Sequence, residues 1–180
     1  TRGKSLVNFL SLEADEKVTS ILMMPKEMKG AEKGAGLSLL MVTKQGVGKR
    51  VAASSFQDVR RSGLIAIKLH TGDELVSASF IAKGDSAILV TSKGQSIRFK
   101  DSEIREMGRG AGGVRAMKLG KNDTIVGAQV ISKDVKNPSL LIISSNGYGK
   151  RTEIDEYKIQ KRGGSGIKTS KVTPKTGDII

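Results

Sequence analysis

One layout returns three times along this chain at a step of about fifty residues, and it limits the fold more than any other feature. Leu39-Leu40-Met41-Val42-Thr43 runs into Lys44-Gln45-Gly46 and then Val47-Gly48-Lys49-Arg50. Ala87-Ile88-Leu89-Val90-Thr91 runs into Ser92-Lys93-Gly94 and then Gln95-Ser96-Ile97-Arg98. Leu141-Ile142-Ile143-Ser144 runs into Ser145-Asn146-Gly147 and then Tyr148-Gly149-Lys150-Arg151. Each copy is an apolar run, a polar turn containing glycine, and a second short strand. That is a β-hairpin, signalled most strongly by Asn146-Gly147, because both residues tolerate positive φ.

Two further features keep the same step. Leu75-Val76 follows Gly72-Asp73-Glu74, Ile125-Val126 follows Asn122-Asp123-Thr124, and Ile179-Ile180 follows Gly177-Asp178. A glycine-rich basic stretch precedes a lysine-containing strand in each repeat: Arg61-Ser62-Gly63 before Ile67-Lys68-Leu69, Arg109-Gly110-Ala111-Gly112-Gly113 before Met117-Lys118-Leu119, and Arg162-Gly163-Gly164-Ser165-Gly166 before Ser170-Lys171-Val172. Short strands at this period predict an all-β array of propeller-type blades. The repeats fall near 13–70, 71–120 and 121–176, with partial repeats at both ends, and the chain reads as a fragment of a single domain. No long stripe of helical period is present, although Asp101–Met107 could form one turn.

Charge decides the expected partner. With 31 Lys and Arg against 18 Asp and Glu, the chain carries +13, which favours an anionic polymer or surface. An arginine stands four residues after each turn glycine: Arg50, Arg98 and Arg151. Lys49 and Lys150 precede two of them. Two residues after the glycine the side chain is small, and strand alternation puts these two positions on one face. A small residue beside an arginine would let a phosphate chain approach while the guanidinium forks onto its oxygens. The alternative is a set of solvated edge charges that discourage strand pairing between molecules. Arg61, Arg109 and Arg162 would act at the junctions between blades, where exposed backbone N–H groups can share a phosphate. Lys150, Arg151, Lys158, Lys161, Arg162, Lys168, Lys171 and Lys175 concentrate positive charge in the C-terminal third against Glu153, Asp155 and Glu156, and Lys68, Arg115 and Lys118 are further expected contacts. Aromatic residues make up 3%, with no Trp, which disfavours a single-strand binder built on stacking platforms. Double-stranded DNA is the expected partner.

Catalytic and cofactor chemistry find little footing. There is no cysteine and one histidine, His70, so thiolate sites and His-based triads or metal sites lack ligands. Gly108-Arg109-Gly110-Ala111-Gly112-Gly113 matches G-x-G-x-x-G, but it precedes a strand-like run where a dinucleotide site needs a helix. Gly149-Lys150-Arg151-Thr152 lacks the upstream glycine and the Lys-Ser/Thr pair of a phosphate loop. Neither a catalytic site, a metal nor a cofactor is expected. No stretch approaches the roughly 18 apolar residues of a membrane span.

These residues resemble the C-terminal domain of the DNA gyrase A subunit, and more distantly that of the topoisomerase IV A subunit. The likeness rests on Val59–Leu69, Gly72-Asp73-Glu74-Leu75, Ile97-Arg98-Phe99-Lys100, Val114-Arg115-Ala116-Met117-Lys118-Leu119 and Asn146-Gly147-Tyr148-Gly149-Lys150-Arg151-Thr152. The resemblance implies a β-pinwheel, a ring of four-stranded blades that exchange strands, of which this chain would hold about three to four. It also implies a module that binds and bends duplex DNA on a basic outer rim in support of negative supercoiling. Its partners would be the gyrase B subunit, together with the rest of the gyrase A polypeptide, in the bacterial cytoplasm at the nucleoid. Gln160-Lys161-Arg162-Gly163-Gly164-Ser165-Gly166 resembles the family's Gln-Arg-Arg-Gly-Gly-Lys-Gly box. Its place after the hairpin matches a later, degenerate copy, which would put the full box outside this chain. The rival reading is a propeller-like platform whose basic face meets an acidic protein.

Overall fold

The computed structural model describes residues 3–5, 8–10, 12, 16–23, 36–57, 59 and 63–180. Each of the three sequence copies forms its hairpin: β1 (Leu37–Thr43) with β2 (Val47–Ala52), β4 (Ser86–Thr91) with β5 (Gln95–Lys100), and β8 (Ser139–Ile143) with β9 (Gly149–Glu153). The turns close alike. Gly46, Gly94 and Gly147 donate their N–H to the carbonyls of Thr43, Thr91 and Ser144 at 3.0, 3.0 and 2.8 Å.

The recurring Gly-Asp or Asn-Asp step also has a structural use. The Asp73 carboxylate accepts the backbone N–H of Gln45 at 2.9 Å, and the Asp123 carboxylate accepts that of Lys93 at 3.0 Å. Each acid therefore staples a hairpin tip before the chain enters the next strand, β3 (Leu75–Ala82) or β7 (Ile125–Ile131).

Four-stranded antiparallel sheets arise by exchange between repeats. One has the order β3-β1-β2-β6 and the other β7-β4-β5-β10, where β6 is Val114–Arg115 and β10 is Ile167–Lys168. Strand β6 leaves the second hairpin yet pairs with β2 of the first, and β10 leaves the third yet pairs with β5 of the second. Outer-edge strands are thus contributed by the following repeat. The third hairpin is a two-stranded sheet, with the chain at Ile179 bridging to Ser144.

The middle strand β4 of the second sheet is covered on both faces. All six positions of β4 are buried, which explains its unbroken apolar run in place of polar alternation. Leu40, Val42, Ile81, Leu89, Ile97, Phe99, Ile104, Met117 and Ile125 make one core shared by the first two sheets. Each such side chain contributes about 1.5–3 kcal/mol on burial. Among the described residues no α-helix forms; 3-10 turns at Ala53–Phe56, Asp101–Glu103 and Ile154–Glu156 follow the hairpins. The single turn expected near Asp101 is the second of these.

Glycine before the outer strands is dictated by crowding. Gly113 (φ +90) precedes β6, and a Cβ there would lie 2.9 Å from the Gly48 carbonyl oxygen and 2.7 Å from Val47 Cγ1. Gly166 (φ +74) precedes β10 and presses in the same way on the Ser96 carbonyl. A side chain at either position would meet both a strained φ and an occupied space.

Candidate nucleic-acid interface

The arginines four residues past the turn glycines do not share one fate. Arg50 is half-buried; its Nη1 donates to the Asp101 carbonyl at 2.9 Å and to the Asp101 carboxylate at 3.0 Å. Arg98 is half-buried as well; Nε donates to Ser86 Oγ at 3.1 Å, and Nη1 to the carbonyls of Ile154 and Tyr157 at 3.0 and 3.3 Å. Both guanidiniums therefore grip the 3-10 turn that follows the next hairpin. Beside them the backbone repeats the same contact: Met107 N–H donates to the Arg50 carbonyl and Gln160 N–H to that of Arg98, each at 2.8 Å. The register that suggested phosphate contacts is, in these two copies, a clasp between neighbouring blades. Arg151, the third copy, is exposed.

Lys49 also departs from the expectation. It is fully buried, and its Nζ donates to the Ala66 carbonyl at 2.7 Å and to the Arg109 carbonyl. Burial pushes its pKa below the usual lysine value. Its ammonium is enclosed, so it cannot reach a phosphate. The misplacement follows from β2 being covered on both faces, which leaves no solvent side for alternate residues. Arg162 is half-buried and spent on protein too: Nε donates to the Glu103 carbonyl at 2.7 Å and Nη1 to the Arg115 carbonyl at 2.9 Å. Arg61 lies outside the described residues.

Nine of the expected cations do face solvent: Lys68, Arg109, Arg115, Lys118, Lys150, Arg151, Lys161, Lys168 and Lys171. The outer strands bring several into equivalent places. The N–H groups of Ala116 and Met117 donate to the Gly46 carbonyl at 2.8 and 3.2 Å, and those of Thr169 and Ser170 to the Gly94 carbonyl at 2.9 and 3.2 Å. These shared anchors make Arg115 the counterpart of Lys168, and Lys118 that of Lys171. Lys68 holds the same sequence position as the latter pair in the first repeat. None of these cations forms an ion pair among the described residues, where the pairs are Lys44–Glu74, Arg50–Asp101 and Lys93–Asp178.

Sequence reasoning missed Lys93 and Lys121. With Lys118, Gln95, Ser165 and the acid Asp123 they line an open recess of about 400 Å³ beside the second hairpin tip, where Lys93 is paired with Asp178. Lys121 stands three residues past Lys118, a spacing that could have singled it out once the edge strand was known. Lys150 donates to the Thr169 carbonyl at 3.3 Å, and Lys175 lies 5.7 Å from the centre of the exposed Tyr148 ring. Gln160–Gly166, the box-like segment, threads between blades: Gly163 N–H donates to the Ala116 carbonyl at 2.6 Å, and the Gly164 carbonyl accepts from Lys118 N–H at 2.9 Å. Among the described residues there is no cluster of metal-ligating side chains, and no helix is long and apolar enough to cross a membrane.

Strand-exchanging four-stranded blades with an unpaired basic outer edge define a protein of the β-pinwheel type. The family described as DNA gyrase C-terminal domain, beta-propeller, matches residues 37–82, 85–132 and 138–180, one segment for each hairpin repeat. The chain belongs to this family. The DNA gyrase A subunit of Helicobacter pylori is 42% identical over 179 residues, 99% of this chain and 21% of that protein. Its counterpart from Lawsonia intracellularis is 38% identical over 179 residues, again 99% of this chain and 21% of the relative. The chain thus spans about a fifth of the length of these relatives. Among solved structures, a DNA gyrase A C-terminal domain matches with TM-score 0.81 and 28% identity over 100% of this chain and 57% of that one. The C-terminal domain of DNA topoisomerase IV matches in fold with TM-score 0.85 at 23% identity, over 99% of this chain and 53% of that one.

Proposed function

We propose that this chain binds double-stranded DNA without regard to sequence along the outer edges of its blades and bends it. In this reading it serves as part of the non-catalytic C-terminal module of a gyrase A polypeptide. The observation that carries the reading is the set of exposed, unpaired cations at repeat-equivalent positions: Arg115 and Lys168 in β6 and β10, Lys118 and Lys171 just past those strands, and Lys68 as their counterpart in the first repeat. Phosphate oxygens carry no sequence information, so contacts of this kind position a duplex without reading its bases. Their regular recurrence from blade to blade suits a duplex that follows the curve of the edge. Arg109, Lys150, Arg151 and Lys161 extend the same cationic surface.

The chain contributes no covalent step and calls for no cofactor. Its module would support negative supercoiling by an ATP-dependent type IIA topoisomerase built with the remaining gyrase A segments and the gyrase B subunit, in the bacterial cytoplasm at the nucleoid. Titration of mixed-sequence duplex at several salt concentrations tests the reading. With about six phosphates neutralised, log K falls against log salt with a slope of roughly −5. A flat salt dependence, or tight binding only to an acidic protein, would refute it.

A further inference from the structure

The buried ammonium of Lys49 sits where the neighbouring junction has none. At the junction between the first and second sheets, the glycine-rich loop bonds directly to the chain just past β6: Gly163 N–H donates to the Ala116 carbonyl at 2.6 Å and Lys118 N–H to the Gly164 carbonyl at 2.9 Å. The repeat makes Ala66 the counterpart of Ala116, and Lys68 that of Lys118. At that earlier junction, Lys49 Nζ instead donates both to the Ala66 carbonyl and to the carbonyl of Arg109 in the glycine-rich loop. Among the described residues no main-chain hydrogen bond joins these two segments; further along, a Cβ on Gly112 would lie 3.7 Å from the Lys68 carbonyl. At the equivalent place in the third repeat, Lys150 reaches the Thr169 carbonyl, the counterpart of Ala66, from a solvent-exposed position. In the second repeat the position is Ile97, which is part of the core.

We propose that Lys49 is a positioning residue for duplex binding: its ammonium bridges the outer-edge segment carrying Lys68 to the loop carrying Arg109, and so sets the spacing of two exposed cations that meet the phosphate backbone. Lys49 itself never touches the ligand. Its two acceptors are main-chain carbonyls of the segments whose side chains face solvent, so its loss releases both segments at once. The proposal rests on the duplex-binding reading above.

The experiment is a double-mutant cycle on the whole chain, read by fluorescence anisotropy with a mixed-sequence linear duplex. Lys49→Met removes the bridging donor, and affinity is expected to fall by about three- to tenfold, the effect of disturbing one or two phosphate contacts. Arg109→Ala should weaken binding, and the double variant should lose less than the product of the two single losses, because part of the Lys49 effect runs through the Arg109 loop and the rest through the Lys68 segment. Lys49→Gln keeps an N–H donor and drops the charge; it should recover part of the loss, which a role of bulk charge would not allow. Amide exchange should quicken in 63–70 and 108–113 in Lys49→Met while β4 and β5 stay protected. If Lys49→Met does not fold, Lys49→Gln takes its place in the cycle. Full affinity in a folded Lys49→Met, multiplied losses in the double variant, or a Lys49→Gln no better than Lys49→Met each overturns the proposal and leaves duplex binding intact. Failure of the unsubstituted chain to bind duplex removes both.

Discussion

Lys49 and Lys150 each stand three residues past a turn glycine, yet one is sealed inside and the other lies in solvent. Burial of Lys49 has a consequence for pH. Its folded-state pKa lies below the usual 10.5, so between that lowered value and 10.5 the unfolded chain holds a proton that the folded chain has released. Stability from this group is therefore gained as pH rises through that window and lost as pH falls. Urea midpoints of the unsubstituted chain and Lys49→Met, compared at neutral pH and near 10.5, should diverge in favour of lysine at the alkaline end. An unchanged difference would argue against a desolvated amine. The neutral amine keeps two N–H donors, so the bridge survives this titration. Arg50 makes the opposite point about exposed charge. Arg50→Ala leaves the Asp101 carboxylate, 10% exposed, without its cation, and should cost about 2–4 kcal/mol of stability with duplex affinity little changed. Chemical denaturation beside a binding titration separates the two effects.

At the scale of the strand and its turn, the hairpins are legible because their signals are local. Gly46, Gly94 and Gly147, each following a polar pair, set the tight turns through their own positive φ, whereas Asn146 does not adopt a positive φ. The outer strands β6 and β10 are not the lysine-containing strands expected after the glycine-rich stretches, since 117–119 and 170–172 lie just past them outside any strand, and nothing nearby says that β6 and β10 pair with the preceding hairpin. That pairing depends on Gly113 and Gly166, which let the chain pass close under Gly48 and Ser96. Gly166→Ala should therefore lower stability by about 1–3 kcal/mol or more, since it combines a positive φ with steric overlap on backbone. A thermal shift indistinguishable from the unsubstituted protein would mean that β10 does not dock against β5 through this close approach.

Across the whole molecule, strand exchange and the arginine clasps make neighbouring blades share a core and a seam, while nine of the expected cations stay exposed. The double variant Lys118→Ala/Lys171→Ala should reduce the steepness of the salt dependence by about two, one for each phosphate no longer neutralised, while stability stays within about 0.5 kcal/mol. A reduced affinity with an unaltered slope would show that neither lysine meets a phosphate. Sequence alone was enough for the period, the hairpins, the all-β class and the excess of positive charge, because each is a property of adjacent residues or of composition. It placed Lys68, Lys118 and Lys171 at equivalent positions, and they do face solvent, but not in the strands expected there: β6 and β10 end three residues before Lys118 and Lys171, and no strand forms around Lys68. Whether a given cation looks outward was decided only by tertiary structure. Arg50, Arg98 and Arg151 share one local pattern, but the next blade's 3-10 turn supplies carbonyls to the first two, and a desolvated guanidinium settles where acceptors replace its lost water.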